Sequence, residues 1–126
     1  MKEILGLSAG FHDAAVSLIS NHGDILFAGH AERYSKQKND ANIHPDLVTE
    51  LYGYDISDIA YYERPLIKQL RQWYSGQGIE WNKIRLGGLV RQQLKPKLLG
   101  DAKFHSYNHH RCHAAAGFQT SPFDRA

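Results

Sequence analysis

The sequence predicts an α/β chain of the layered α+β kind, with helices packed on a sheet. Three observations predict it. Short apolar runs of strand type fill the first 31 residues, with turn chemistry between them. Beyond them, segments with apolar residues at helical spacing alternate with further strand-like runs. The chain has 126 residues, 42% apolar and 22% charged, which is the balance of a globular domain able to bury a core.

Glu3–Ser8 (EILGLS) reads as a buried strand and Ala14–Ser20 (AAVSLIS) as a second. Asn21-His22-Gly23-Asp24 has turn chemistry, with Gly23 free to take positive φ, so Ile25–Ala31 returns as a third antiparallel strand. Pro45 stands at the first turn of a short helix over Asp46–Leu51 that ends at Gly53. Ser57–Tyr62 is strand-like. Pro65–Tyr74 places Leu66, Ile67, Leu70 and Trp73 or Tyr74 at helical spacing. Asn82–Leu99 is a further helix, weakened by Gly87-Gly88 and kinked or ended by Pro96. Lys103–Tyr107 alternates as a strand and delivers the chain to His109.

Composition excludes several classes. A net charge of +2, with Lys and Arg scattered, gives no footprint for nucleic acid. No apolar run approaches the roughly 20 residues that span a bilayer, and Met1 leads straight into a strand-like run, without a secretory h-region. A single cysteine cannot form an internal disulfide, which favours a reducing cytoplasm.

Two segments carry chemistry. In HHRCHAAAGFQTSPFD, His109 and His113 are four residues apart, so on a helix both imidazoles can reach one divalent ion. His110 lies about 100° around that helix, as a supporting or substrate-facing group. Cys112 is off the ligand line. Eight histidines also produce such a pair by chance, and two ligands fall short of the usual three. In GLSAGFHDAAVSL, the small residues Ser8, Ala9 and Gly10 precede His12-Asp13. Asp13 either bonds the turn's own amides or helps bind a ligand, and His12 is either an ordinary turn residue or a proton acceptor. Glu32-Arg33 is either a surface ion pair or part of the same site, and Ser35–Asp40 is a solvated loop.

GLSAGFHDAAVSL, AERYSKQKND, YYERP and HHRCHAAAGFQTSPFD, in this order and spread over nearly the whole chain, resemble the opening of the O-carbamoyltransferases of the NodU/CmcH type. The resemblance implies the start of an actin-like (ASKHA, RNase H-like) domain, a mixed sheet with helices packed on it. It implies that residues 1–126 are a truncated N-terminal portion, without the YrdC-like C-terminal domain that makes carbamoyladenylate from ATP and carbamoyl phosphate. The implied reaction passes the carbamoyl group to a hydroxyl of a small-molecule acceptor, with no membrane or nucleic-acid partner and with a homodimer open for the full-length protein.

In the family a divalent metal, commonly iron(II), is held by two histidines that match His109 and His113, and by an aspartate that would lie beyond Ala126. The histidine matching His12 is the base. Asp13, Glu32, Arg33 and His110 are the candidate substrate- or intermediate-binding residues. Ala31, Lys36 and Asn39 stand where the family has an acid, an arginine and a histidine. A non-catalytic binding or assembly module with the same half-fold, and a relative of the tRNA threonylcarbamoyladenosine transferases, are the other readings.

Overall fold

Alternation along the opening strands decides which face of the sheet is buried. A computed structural model of the chain describes residues 2–11, 13–85, 90, 91, 93, 94, 96–122 and 124. Strand β1 (Glu3–Ser8) pairs antiparallel with β2 (Ala15–Ile19), and β2 pairs antiparallel with β3 (Ile25–His30). Gly23 makes the β2–β3 turn at φ 93°. Strand β4 (Ile56–Tyr61) lies parallel to β1, and β5 (Lys103–Ser106) parallel to β4. The result is one mixed sheet in the order β3-β2-β1-β4-β5. The three antiparallel strands expected at the start are present.

Leu5 and Leu7 of β1, Val16 and Leu18 of β2, and Ile59 and Tyr61 of β4 point to one face. There they form a single core with Leu47, Val48, Leu51, Val90, Leu94, Leu98 and Leu99. Each fully buried aliphatic side chain contributes about 1.5–3 kcal/mol. Helix α2 (Pro45–Glu50) supplies Leu47 and Val48. Pro45 opens it as expected, and His44 caps it by accepting from the Asp46 amide. Gly29 of β3 lets α2 approach: a Cβ there would stand 2.4 Å from Leu47 Cδ2.

The second face carries small side chains, among them Gly6, Ser8, Ala15, Ser17, Ala28 and Ala60. They floor a cavity of about 570 Å³, with His30, Arg33, Tyr107 and Cys112 on its walls.

Three local features depart from expectation. A one-turn helix, α1 (Glu32–Ser35), follows β3 directly, so the third strand ends at His30 rather than Ala31. Ala31, between them, is fully buried. In α3 (Pro65–Tyr74) the apolar stripe faces outward: Leu66, Leu70, Trp73 and Tyr74 are exposed while Gln69 is buried, its Oε1 accepting from the Glu80 amide at 2.8 Å. The helix expected over Asn82–Leu99 is not continuous. Trp81–Lys83 is a 3₁₀ turn and Arg85 is irregular, Val90, Arg91 and Gln93 are helical as expected, Leu94 is not, and α4 (Pro96–Leu99) begins at the proline, whose fixed φ suits a first helical residue. Gly87 and Gly88 of that expectation lie outside the described residues. Among the described residues no helix is long and apolar enough to cross a membrane.

Candidate functional site

The strand directions bring the two chemical segments to one edge. Strands β1, β3, β4 and β5 all run the same way, so their carboxyl ends and the start of β2 share that edge. The β1–β2 turn, the start of α1, Glu63 after β4 and the histidines after β5 therefore all leave the sheet there. The carboxyl edge of parallel strands is the usual place for a ligand in such sheets.

Helix α5 (His109–Gln119) begins three residues after β5 ends, and Asn108 caps it by accepting from the His110 amide at 3.0 Å. On its first turn the Nε2 atoms of His109 and His113 converge to 3.0 Å. At that separation one ring can donate N–H to the other. The pair equally fits one shared ion, since two nitrogens each about 2.0–2.1 Å from a common ion are at most about 4.2 Å apart. Tyr62 meets the His109 ring edge-on at a centroid distance of 5.4 Å. His110 lies beside it at 6.0 Å and faces solvent.

Behind His109 stands Glu63. Its Oε2 is 3.8 Å from His109 Nδ1 and 3.4 Å from Lys68 Nζ, and its Oε1 accepts from the Arg64 amide at 3.3 Å. Lys68 in turn lies over the Phe11 ring, 4.3 Å from its centroid. The β4–α3 corner thus ties the β1–β2 turn to the histidine helix. The Cys112 thiol donates to the Tyr62 carbonyl at 3.7 Å. Burial, and then the Glu63 carboxylate, push that thiol up, so it stays protonated at neutral pH. Among the described residues no group of three or more His, Cys, Asp or Glu is placed to hold a metal ion.

The turn that carries His12-Asp13 is clamped from three sides. Gly10 N–H donates to the Ala41 carbonyl and Ala14 N–H to the Asp40 carbonyl, each at 2.7 Å. Ser8 Oγ donates to the Asp13 carbonyl, and the Tyr61 hydroxyl donates to the Ala9 carbonyl. Burial, and then Tyr62 and Glu63, hold the Tyr61 phenol well above its ordinary value, so it remains a donor. Asp13 sits at φ 44°. His12 itself lies outside the described residues.

Glu32 and Arg33 share the edge but part in role. Glu32 Oε1 accepts from the Asn39 amide and closes the loop that clamps the turn. Arg33 lines the cavity on the open face, together with Cys112 next to His113. Glu63 was missed as a functional candidate even though YYERP contains it. The available signal was position: like His109, it lies within three residues of the end of a parallel strand.

No family model matches the chain, and no solved structure matches it. The chain is similar to the uncharacterized protein sll1178 of Synechocystis sp., at 29% identity over an alignment that covers the whole chain and 24% of that protein. The chain spans about a quarter of the length of this curated relative.

Proposed function

We propose that the chain is the opening part of an actin-like O-carbamoyltransferase of the NodU/CmcH type. It would transfer a carbamoyl group from carbamoyladenylate to a hydroxyl of a small-molecule acceptor. The observation that carries the reading is the approach of His109 and His113 Nε2 to 3.0 Å at the edge where four separated motif segments meet. Those segments also hold one another in place. Tyr61 of YYERP, Asp40 at the end of AERYSKQKND and the next residue, Ala41, hold the turn of GLSAGFHDAAVSL, and Glu63 of YYERP backs the histidine helix. The mixed sheet agrees with an actin-like half-domain.

His109 and His113 would hold the divalent ion, iron(II) by family resemblance, and a bound ion stabilises negative charge on the oxygen of an acyl group under attack. In the step itself the acceptor oxygen bonds the carbamoyl carbon, and the bond from that carbon to the adenylate oxygen breaks. AMP leaves, and the acceptor's proton passes to His12. Loss of such a base costs about 10²–10⁴-fold in rate. Arg33, on the cavity wall beside α5, is placed to orient an anionic or hydroxylated acceptor on the small-residue face.

The test uses the whole gene product with ATP and carbamoyl phosphate labelled at carbon. Pyrophosphate release should persist in the His12→Asn variant and in the His109→Ala, His113→Ala double variant, while transfer of label to a hydroxyl acceptor is lost in both. Absence of any labelled carbamoyl product from the unaltered protein across a panel of polyhydroxylated acceptors contradicts the reading.

A further inference from the structure

Glu63 is a carboxylate that the metal reading does not by itself require. It sits at the end of β4, its side chain is 12% exposed, and both of its oxygens are engaged. Oε1 takes the Arg64 amide, and Oε2 is bracketed by Lys68 Nζ at 3.4 Å and His109 Nδ1 at 3.8 Å. Burying a carboxylate is costly unless it is paired, and here Lys68 supplies the counter-charge. The cation is fixed in turn by its position over the Phe11 ring.

The two ring nitrogens of His109 look in different directions. Nε2 meets His113, and Nδ1 faces Glu63. A carboxylate on the Nδ1 side cannot reach an ion lying between the two Nε2 atoms, so Glu63 is not a ligand. It is placed to accept a proton-bearing Nδ1. A histidine whose Nδ1 carries hydrogen presents a lone pair at Nε2, which is the form that binds a metal. The separation of 3.8 Å exceeds a direct hydrogen bond, and such contacts commonly shorten when a site engages its ligand.

We propose that Glu63 is the positioning residue of this site, held rigid by Lys68 and the Arg64 amide, and that it fixes His109 in the Nδ1–H form with Nε2 aimed at the ion. The proposal rests on His109 and His113 being ligands, and the experiment separates the two.

Zn²⁺ alone is titrated calorimetrically into the whole gene product and its variants. Glu63→Leu should weaken binding about 10–100-fold, the usual cost of losing an outer partner of a ligating histidine. Glu63→Gln, which keeps shape and an acceptor oxygen, should weaken it less. Equal affinity in the unaltered protein and Glu63→Leu overturns the proposal, as does equal loss in both Glu63 variants.

A second arm needs no metal. In protein labelled with ¹⁵N-histidine, the His109 signal, identified by its loss in His109→Ala, should report Nδ1–H in the unaltered chain and shift towards Nε2–H in Glu63→Leu. A His109 that is Nε2–H from the start, or unmoved by Glu63→Leu, contradicts the role of Glu63. Zn²⁺ affinity unchanged in the His109→Ala, His113→Ala variant removes the metal reading, and the nitrogen signal then decides on Glu63 alone.

Discussion

Two side chains show how single groups hold this edge together. The Tyr61 hydroxyl is buried and donates to the Ala9 carbonyl, across 52 residues of sequence. Tyr61→Phe leaves that carbonyl without its donor, which costs about 1–3 kcal/mol. The turn over residues 9–14 should loosen more than the strands, so amide hydrogen exchange at Gly10 and Ala14 should quicken in Tyr61→Phe while exchange at Leu5 and Leu18 barely changes. Asp58 is the second group. Its carboxylate takes Ser57 Oγ at 2.7 Å and His105 Nε2 at 2.8 Å. The Ser57 hydrogen bond, and after it His105, hold the carboxyl below its ordinary value of about 3.9. A lowered folded value means stability that is present in full above pH about 4 and lost as pH falls through the folded value. Asp58→Asn should therefore be less stable than the unaltered protein at neutral pH, and the gap should close on acidification towards pH 3. A gap that widens on acidification would overturn this assignment. The effect is small, because the pair is solvent-exposed.

Among the elements, β3 and α2 depend on one glycine. Gly29 pairs with Val16 in the sheet and faces Leu47 of α2, where a Cβ would come within 2.4 Å of Leu47 Cδ2. Leu47 is fully buried, and the Phe27 ring would stand 3.0 Å from the same Cβ. Gly29→Ala should cost about 1–3 kcal/mol by overpacking, read as a lower denaturant midpoint at unchanged slope. Element type was legible wherever period and punctuation agreed. The opening strands, the Pro45 helix and the helix that begins at His109 all lie within a residue or two of their expected positions. What the sequence hid was three-dimensional. The apolar residues of α3 have helical spacing, yet Leu66, Leu70, Trp73 and Tyr74 face outward while Gln69 is buried, its Oε1 accepting the Glu80 N–H. Helix α1 has only four residues, too few for any periodicity to register.

For the molecule as a whole, the mixed sheet is what joins distant motifs. That His109 and His113 would share one helical face was readable from their spacing, and their Nε2 atoms do meet. That Glu32 would close a loop rather than face the open side, and that Glu63 would stand behind His109, could not be read, because both depend on which strands are neighbours. The open face of small residues continues the same logic. Gly6, Ala15, Ala28 and Ala60 place no bulk above the sheet, so the cavity reaches from Arg33 to Cys112 at the foot of the histidine helix. An ion at His109 and His113 would thus lie beside a cavity with room for an acceptor. Iron or zinc added to crystals of the gene product, followed by anomalous scattering at that metal's absorption edge, tests this directly. The account predicts a peak within about 2.0–2.2 Å of both His109 Nε2 and His113 Nε2. Metal that binds elsewhere, with no peak between these two nitrogens, would contradict it.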